Sequence, residues 1–322
     1  FGGGTPSLLS AEELNQLFRT IHNEYDVLDH AEITLEANPD DLTEQQLKEL
    51  SATPINRLSI GVQSFFEEDL RLMNRAHNAI EALQSIERAQ HYFENISLDL
   101  IYGIPKMSVA RWQQNVETAL ALGVPHLSCY ALTVEPKTAL KSFIEKGLVA
   151  PVDDALAQRH HEVLLDLTER AGYENYEFSN FGKPGYYSRN NMAYWEGKPY
   201  LGIGPSAHSY SGKTRSWNSA NNSLYLKKLS DGELPLERET LSLIDQYNEY
   251  VMTRLRTAKG ISISEVSETF GERFLTYLEE QAQQHLDANR LIRQDDAVRV
   301  TKKGKFLSDG IASDLFLIDL KG

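Results

Sequence analysis

Three polar side chains occupy the same phase of three short alternating segments. Glu36 closes Glu32-Ile-Thr-Leu-Glu36, Gln63 closes Leu58-Ser-Ile-Gly-Val-Gln63, and Asp99 lies in Ile96-Ser-Leu-Asp-Leu100. Successive side chains of a strand point to opposite faces, so the apolar residues take one side and Glu36, Gln63 and Asp99 the other. Any one of them alone reads as a lumen or solvent-facing residue; three in phase, near strand ends that run into loops, read as the wall of a ligand site. Buried carboxylates are costly without compensation. The pattern therefore calls for a cationic ligand group, or for Arg75 on the loop after the Gln63 strand.

A second lead is Phe1-Gly2-Gly3-Gly4-Thr5-Pro6. Three glycines closed by Thr-Pro let backbone N–H groups approach a ligand without Cβ interference. The spacing is neither G-x-x-x-x-G-K-[ST] nor G-x-G-x-x-G, so neither a P-loop nor a dinucleotide fingerprint is present. A third is the aromatic run Tyr186–Trp195 with Tyr200–His208 after it. Such residues suit a flat apolar ligand, although composition alone favours a packed aromatic hairpin. The single cysteine, Cys129, excludes an intrachain disulfide framework and an all-cysteine metal site built from these residues.

Positioning these residues falls to alternating strands and helices. Capping boxes are expected at Ser10–Glu13, Thr43–Gln46 and Asn78–Glu81, each opening a helix. The end of a first strand is expected at Phe1, further strands around 32–36, 58–63, 96–100 and 126–132, and a sixth, aromatic-rich strand over Tyr173–Phe181. Strands alternating with helices at about 30-residue spacing imply parallel βα units. A doubly wound sheet would bury both faces under continuous apolar runs, whereas these strands are polar at every second position. That favours a barrel-like sheet whose inner face meets a ligand. From about Leu236, helices at 241–256, 264–270 and 273–289 precede a small hairpin turning at Asp295-Asp296, then a last helix to about Phe316: a winged-helix-like arrangement. The chain thus divides into 1–180, an aromatic and glycine-rich extension 181–235, and a C-terminal helical domain 236–322.

The 322 residues carry a net charge of −14, which argues against wrapping a nucleic-acid backbone, and the acids at the expected wing tip agree. No stretch is long and apolar enough to span a bilayer, so a cytoplasmic protein without a transmembrane segment is expected. The chain opens on Phe rather than Met, at the end of an expected strand, so a fragment lacking its N-terminal part is expected.

The blocks Gly2-Gly-Gly-Thr-Pro6, Ile33-Thr-Leu-Glu-Ala-Asn-Pro39, Arg57-Leu-Ser-Ile-Gly-Val-Gln-Ser-Phe65, Asp99-Leu-Ile-Tyr-Gly-Ile-Pro105 and Gly202-Ile-Gly-Pro-Ser-Ala-His208 together resemble the radical S-adenosylmethionine (SAM) family. Within it, the match is to the branch of oxygen-independent coproporphyrinogen III oxidase and the HemW-type heme chaperones. The resemblance implies a partial (β/α)6 TIM-like barrel holding SAM and a 4Fe-4S cluster. It places SAM contacts on Gly3, Gly4, Thr5, Glu36, Gln63, Arg75 and Asp99. SAM carries an ammonium, a sulfonium, a carboxylate and ribose hydroxyls, which a mixed set of carboxylates, amide and Arg suits.

The family's Cys-x-x-x-Cys-x-x-Cys motif is absent, and its cluster cysteines are expected upstream of Phe1. Cys129-Tyr-Ala-Leu-Thr-Val-Glu-Pro136 resembles the chaperone branch's Leu-Thr-x-Glu-Pro run. That branch also carries His-Asn-x-x-Tyr-Trp, a proposed heme-binding motif. Here Asn191, Tyr194 and Trp195 match, but Asn190 replaces the histidine and cannot act as an imidazole ligand; His208 is the candidate replacement. The resemblance implies a heme chaperone that binds heme and SAM and delivers heme to an acceptor protein the sequence does not identify. The alternative is the oxidase, acting by radical decarboxylation of propionates in porphyrin biosynthesis. A scaffold that has lost cofactor binding is a third reading. No catalytic residue is assigned.

Overall fold

Ser10 accepts the Glu13 N–H while the Glu13 carboxylate accepts the Ser10 N–H, and this reciprocal capping box starts α1 (Ala11–Glu24). The computed structural model describes residues 1–318. Beyond α1 the chain runs β1 (Thr34–Ala37), α2 (Glu44–Ser51), β2 (Arg57–Gln63), α3 (Glu67–Leu72), α4 (Ala79–Ala89), β3 (Ile96–Tyr102), α5 (Val109–Ala121), β4 (His126–Ala131), α6 (Ala139–Glu145), α7 (Asp154–Arg170), β5 (Glu174–Glu177) and β6 (Asn180–Gly182). The Asn78–Glu81 box forms as expected and starts α4. The second expected box forms only in half. Thr43 accepts the Gln46 N–H, but the Gln46 side chain donates to the Ser7 and Leu9 carbonyls and so ties α2 to the glycine-loop exit.

Six strands form one sheet in the order β1-β2-β3-β4-β6-β5. The first four pair in parallel, each joined to the next by helical segments, the geometry of βα units. One face carries Leu35, Leu58, Ile60, Leu98, Leu100, Leu127 and Cys129, all buried, and α2, α4, α5 and α7 contribute buried Leu47, Leu50, Ile86, Trp112, Val116 and Leu164. Each such aliphatic side chain stabilises the fold by about 1.5–3 kcal/mol relative to exposure. The opposite face holds Thr34, Arg57, Ser59, Ser97, Asp99, His126 and Ser128, linked across strands by side-chain contacts. This is the inner face of a partial barrel.

The expected sixth strand over Tyr173–Phe181 is instead a hairpin. β6 runs antiparallel to both β4 and β5. The Asn175 amide donates to the Glu177 and Asn180 carbonyls, and the Glu177 carboxylate accepts the Ser179 N–H, so polar side chains fold the backbone back after four residues of strand.

The chain divides into two compact units, Phe1–Tyr187 and the part from Ser188 onward. The second contains α8 (Arg189–Trp195), β7 (His208–Tyr210), β8 (Thr214–Asn218), α9 (Asn222–Ser230), β9 (Leu236–Thr240), α10 (Leu243–Leu255), β10 (Ile261–Ser262), α11 (Ile263–Phe270), α12 (Glu272–Asp287), β11 (Leu291–Gln294), β12 (Ala297–Val300) and α13 (Ser308–Asp314). From α10 to β12 the order is helix, strand, two helices, two strands, with β12 central in a three-stranded sheet. That is the winged-helix arrangement, and Tyr247, Val251, Val266, Leu278, Val298 and Ile311 form its core. Asp296 at the hairpin tip accepts from the Ser262 and Ser264 hydroxyls and the Ser264 N–H. These bonds hold its carboxyl below the usual range.

Candidate functional site

Alternation in β1, β2 and β3 puts Glu36, Gln63 and Asp99 on one face of the sheet of the first unit. Phe1 forms parallel-ladder bonds with β1, its amine donating to the Thr34 carbonyl at 2.7 Å and its carbonyl accepting the Glu36 N–H at 3.0 Å. This docks the glycine turn over Glu36. The Gly3 N–H donates to Glu36 Oε2 at 3.3 Å, and a Cβ on Gly2 would lie 2.7 Å from that carboxylate, so a side chain there would push Glu36 aside. Gly3 itself sits at φ +82°. Gly4 and Thr5 follow on an exposed turn, where Thr5 makes no side-chain cap.

Gln63 ends β2 in the left-handed region, φ +66°, where the register to β3 shifts. Its amide bends back over Gly61: a Cβ on Gly61 would meet Gln63 Nε2 at 2.9 Å and Arg75 Nη2 at 3.2 Å. Arg75 follows α3 and a left-handed Asn74, φ 54°, and donates to Asn38 Oδ1 at 2.9 Å and to the Gly61 carbonyl at 3.1 Å. Gln63 and Arg75 therefore meet above the one inward position of β2 without a side chain. Asn38 aims this guanidinium, a role the sequence reading did not give it, although it lies within the Glu36-Ala-Asn-Pro39 block.

Asp99 is set deeper. Ser59 Oγ donates to its carboxylate at 3.2 Å. Burial pushes its pKa up to about 7, with the Glu36 charge adding to the rise and Ser59, Arg57 and Ser128 opposing it. Beneath lies a buried polar floor. Ser97 Oγ and His126 Nδ1 are 2.7 Å apart, His126 Nε2 lies 2.8 Å from the Tyr176 hydroxyl, and Arg57 approaches His126 at 3.5 Å. Burial, reinforced by Arg57, holds His126 well below its ordinary pKa, so the imidazole is neutral. The sequence reading missed this floor; its signal was the same alternation, since Arg57 and Ser59, Ser97 and Asp99, and His126 and Ser128 each stand two apart.

Cys129 belongs to the opposite phase of β4 and is fully buried, which raises its thiol pKa well above the ordinary value. Among the described residues, no group of three or more His, Cys, Asp or Glu could hold a metal ion. One buried thiol does not fit a 4Fe-4S cluster.

In the second unit, the Tyr186–Trp195 run ends in helix α8, capped by Ser188, instead of the aromatic hairpin that composition favours. The Tyr194 ring packs on Trp195 (5.0 Å between centroids) and on Tyr200 (5.8 Å), which continues to Tyr210 (6.2 Å). Tyr194, Tyr200 and Tyr210, with Arg215, Tyr250 and Phe270, line a cavity of about 280 Å³. Trp195 is covered by the Arg256 guanidinium, 5.0 Å from its ring. Asn191 donates its N–H to Ser188 Oγ at 3.3 Å as part of the helix cap. His208 is exposed on β7 and lines a different groove with Trp217 and Leu236. The structure thus keeps Tyr194 and Trp195 adjacent and places His208 away from the cavity that Tyr194 lines.

A partial barrel with a polar inner face, followed by a winged helix, defines the class. Residues 1–134 match the Radical SAM superfamily and residues 241–307 the HemN C-terminal domain. The solved structure of coproporphyrinogen III oxidase (HemN) from Escherichia coli superposes with a TM-score of 0.83 at 23% identity, over 98% of this chain and 76% of that one, a likeness of fold. The heme chaperone HemW of Lactococcus lactis is 33% identical over 99% of this chain and 84% of its own length, and HemW of Bacillus subtilis is 35% identical over 96% and 83%. The chain belongs to the HemW family of radical SAM proteins.

Proposed function

We propose that this protein is a heme chaperone acting in the cytoplasm, which binds heme in its second unit and passes it to an acceptor protein, with SAM held on the inner face of the first. The observation that carries the reading is similarity to HemW chaperones along the whole chain, at 33% and 35% identity. The aromatic walls around Tyr194 suit a porphyrin plane. Asn190 supplies no imidazole, so the axial ligand must come from elsewhere. Among the described residues no helix is long and apolar enough to cross a membrane.

The inner-face residues fit SAM by charge. Glu36 and Asp99 suit its ammonium, sulfonium and ribose hydroxyls, and Arg75 with Gln63 suits its carboxylate. At a reduced cluster SAM would supply a carbon-centred radical, but the residues of this chain hold no cluster, and no radical step is assigned to them. Their part is to bind and orient the cofactor.

The test is titration of the protein with hemin, followed by the Soret band, then mixing with apomyoglobin as a generic acceptor. Saturation at one heme per chain and transfer to the globin are expected. Failure to bind heme would overturn the reading, as would conversion of coproporphyrinogen III to protoporphyrinogen in the presence of SAM and reductant.

A further inference from the structure

The floor of the inner face holds a charge that no ligand contact explains. Arg57 opens β2 and is 4% exposed, yet among the described residues no carboxylate lies within ion-pair distance of it. Its hydrogen-bond contacts are long: Nη1 to Thr34 Oγ1 and Nη2 to His126 Nδ1, each 3.5 Å. Its Nε has no partner. A guanidinium stays protonated in proteins, and an isolated buried cation is strongly unfavourable. Two neutral contacts at the edge of hydrogen-bonding range do not offset that. Something of opposite charge must do so through space.

Arg57 shares its face of β2 with Ser59, one pleat along, and the Ser59 hydroxyl donates to Asp99. The carboxylates above Arg57 on this face are Asp99 and, on the neighbouring strand, Glu36. Both are ligand-facing on the SAM reading, and neither has a cation within ion-pair distance among the described residues. Asp99 thus sits between a like charge at the rim and an opposite charge at the floor.

We infer that Arg57 is a positioning residue for the ligand site: its charge, acting from beneath through the Ser59 layer, keeps Asp99 available as a carboxylate without touching the ligand. His126 cannot substitute, being neutral. The groups that act on Asp99 from the packed strands are Glu36 on β1, Arg57 on β2, and Cys129 and Tyr130 on β4. The last two are uncharged at neutral pH, their pKa values raised by burial and then by Asp99. Arg57 is the one cation in this set.

The inference rests on the SAM reading only for the identity of the ligand, so the primary test needs none. Asp carboxyl carbons labelled with 13C report titration directly, and Asp99→Asn assigns the Asp99 signal. In the full chain, Arg57→Met is expected to raise the Asp99 midpoint, while Arg57→Lys, which keeps a charge on a shorter reach, restores most of it. An unchanged midpoint in a folded Arg57→Met protein overturns the inference. If Arg57→Met does not fold, Arg57→Gln, which removes the charge and keeps a hydrogen-bonding side chain, decides: a raised midpoint supports the inference and an unchanged one overturns it. SAM calorimetry then separates the two readings: affinity lost in Asp99→Asn, with an unmoved midpoint in Arg57→Met, refutes the role of Arg57 and leaves the SAM site standing.

Discussion

At the scale of the residue, Asp99 is where environment departs most from composition. An aspartate that is free in the unfolded chain and raised to about 7 in the fold binds more protons folded than unfolded between those two values. Stability from this group therefore falls as pH rises from about 4 to 7, and the penalty is complete above 7. At ~1.36 kcal/mol per pH unit, its upper bound is about 4 kcal/mol. His126 works the other way: with its folded pKa depressed, it contributes stability above its unfolded value that is lost as pH falls below about 6.5. The two slopes overlap, so the wild-type curve alone does not isolate either. The difference between wild type and Asp99→Asn does. Denaturant unfolding at pH 5 and pH 8 should show the variant gaining on wild type at pH 8 by a few kcal/mol at most, with less than half of that gain at pH 5. Equal gains at both pH values would mean that Asp99 titrates as an exposed acid.

At the scale of the element, β2 decides the site. Its inward positions run Arg57, Ser59, Gly61, and the missing side chain at Gly61 is what lets Gln63 and Arg75 meet there. Gly61→Ala tests this. The new Cβ would meet Gln63 Nε2 at 2.9 Å and Arg75 Nη2 at 3.2 Å, with the Ala37 carbonyl at an ordinary 3.7 Å. The nearest atoms are ends of flexible side chains, so the strand tolerates the change, and removing a strand glycine is worth roughly 0.5–1 kcal/mol in favour of the fold. Stability should hold or rise while SAM affinity falls about tenfold, the ~1.4 kcal/mol expected when two polar contacts are displaced. A loss of stability with unchanged affinity would contradict the packing described. Element boundaries also show what the sequence could tell. Period-two alternation and caps sufficed for β1 to β4 and for α10 to α12, because local polarity and local geometry agree there. They did not suffice at Tyr173–Phe181, where Asn175 and Glu177 bond to nearby backbone and break one strand into two. Nor did they at Tyr186–Trp195, where the Ser188 cap makes a helix from an aromatic run. Arg57, Ser97 and His126 were equally in phase with Asp99, but a pattern shows only the face. How deep a residue lies along that face depends on the stagger between strands, which the sequence does not carry.

At the scale of the whole molecule, the net charge of −14 acts on the two proposed ligands with opposite sign. Heme brings two propionates and is repelled at long range, whereas SAM carries a net positive charge and is attracted. Screening shortens that reach from about 30 Å at 0.01 M salt to about 8 Å at 0.15 M. Heme association measured by stopped flow should therefore quicken several-fold across this range, since salt removes a barrier to encounter, while SAM affinity measured by calorimetry should weaken. The sign carries the information. The cavity beside Tyr194 has Arg215 and Arg254 in its lining, but each is paired, Arg215 with Glu239 and Glu249 and Arg254 with Glu265. They add little net positive field. If heme association slowed with salt instead, the propionates would be meeting a local cationic surface stronger than the charge of the whole chain, and heme would have to enter away from the Tyr194 cavity.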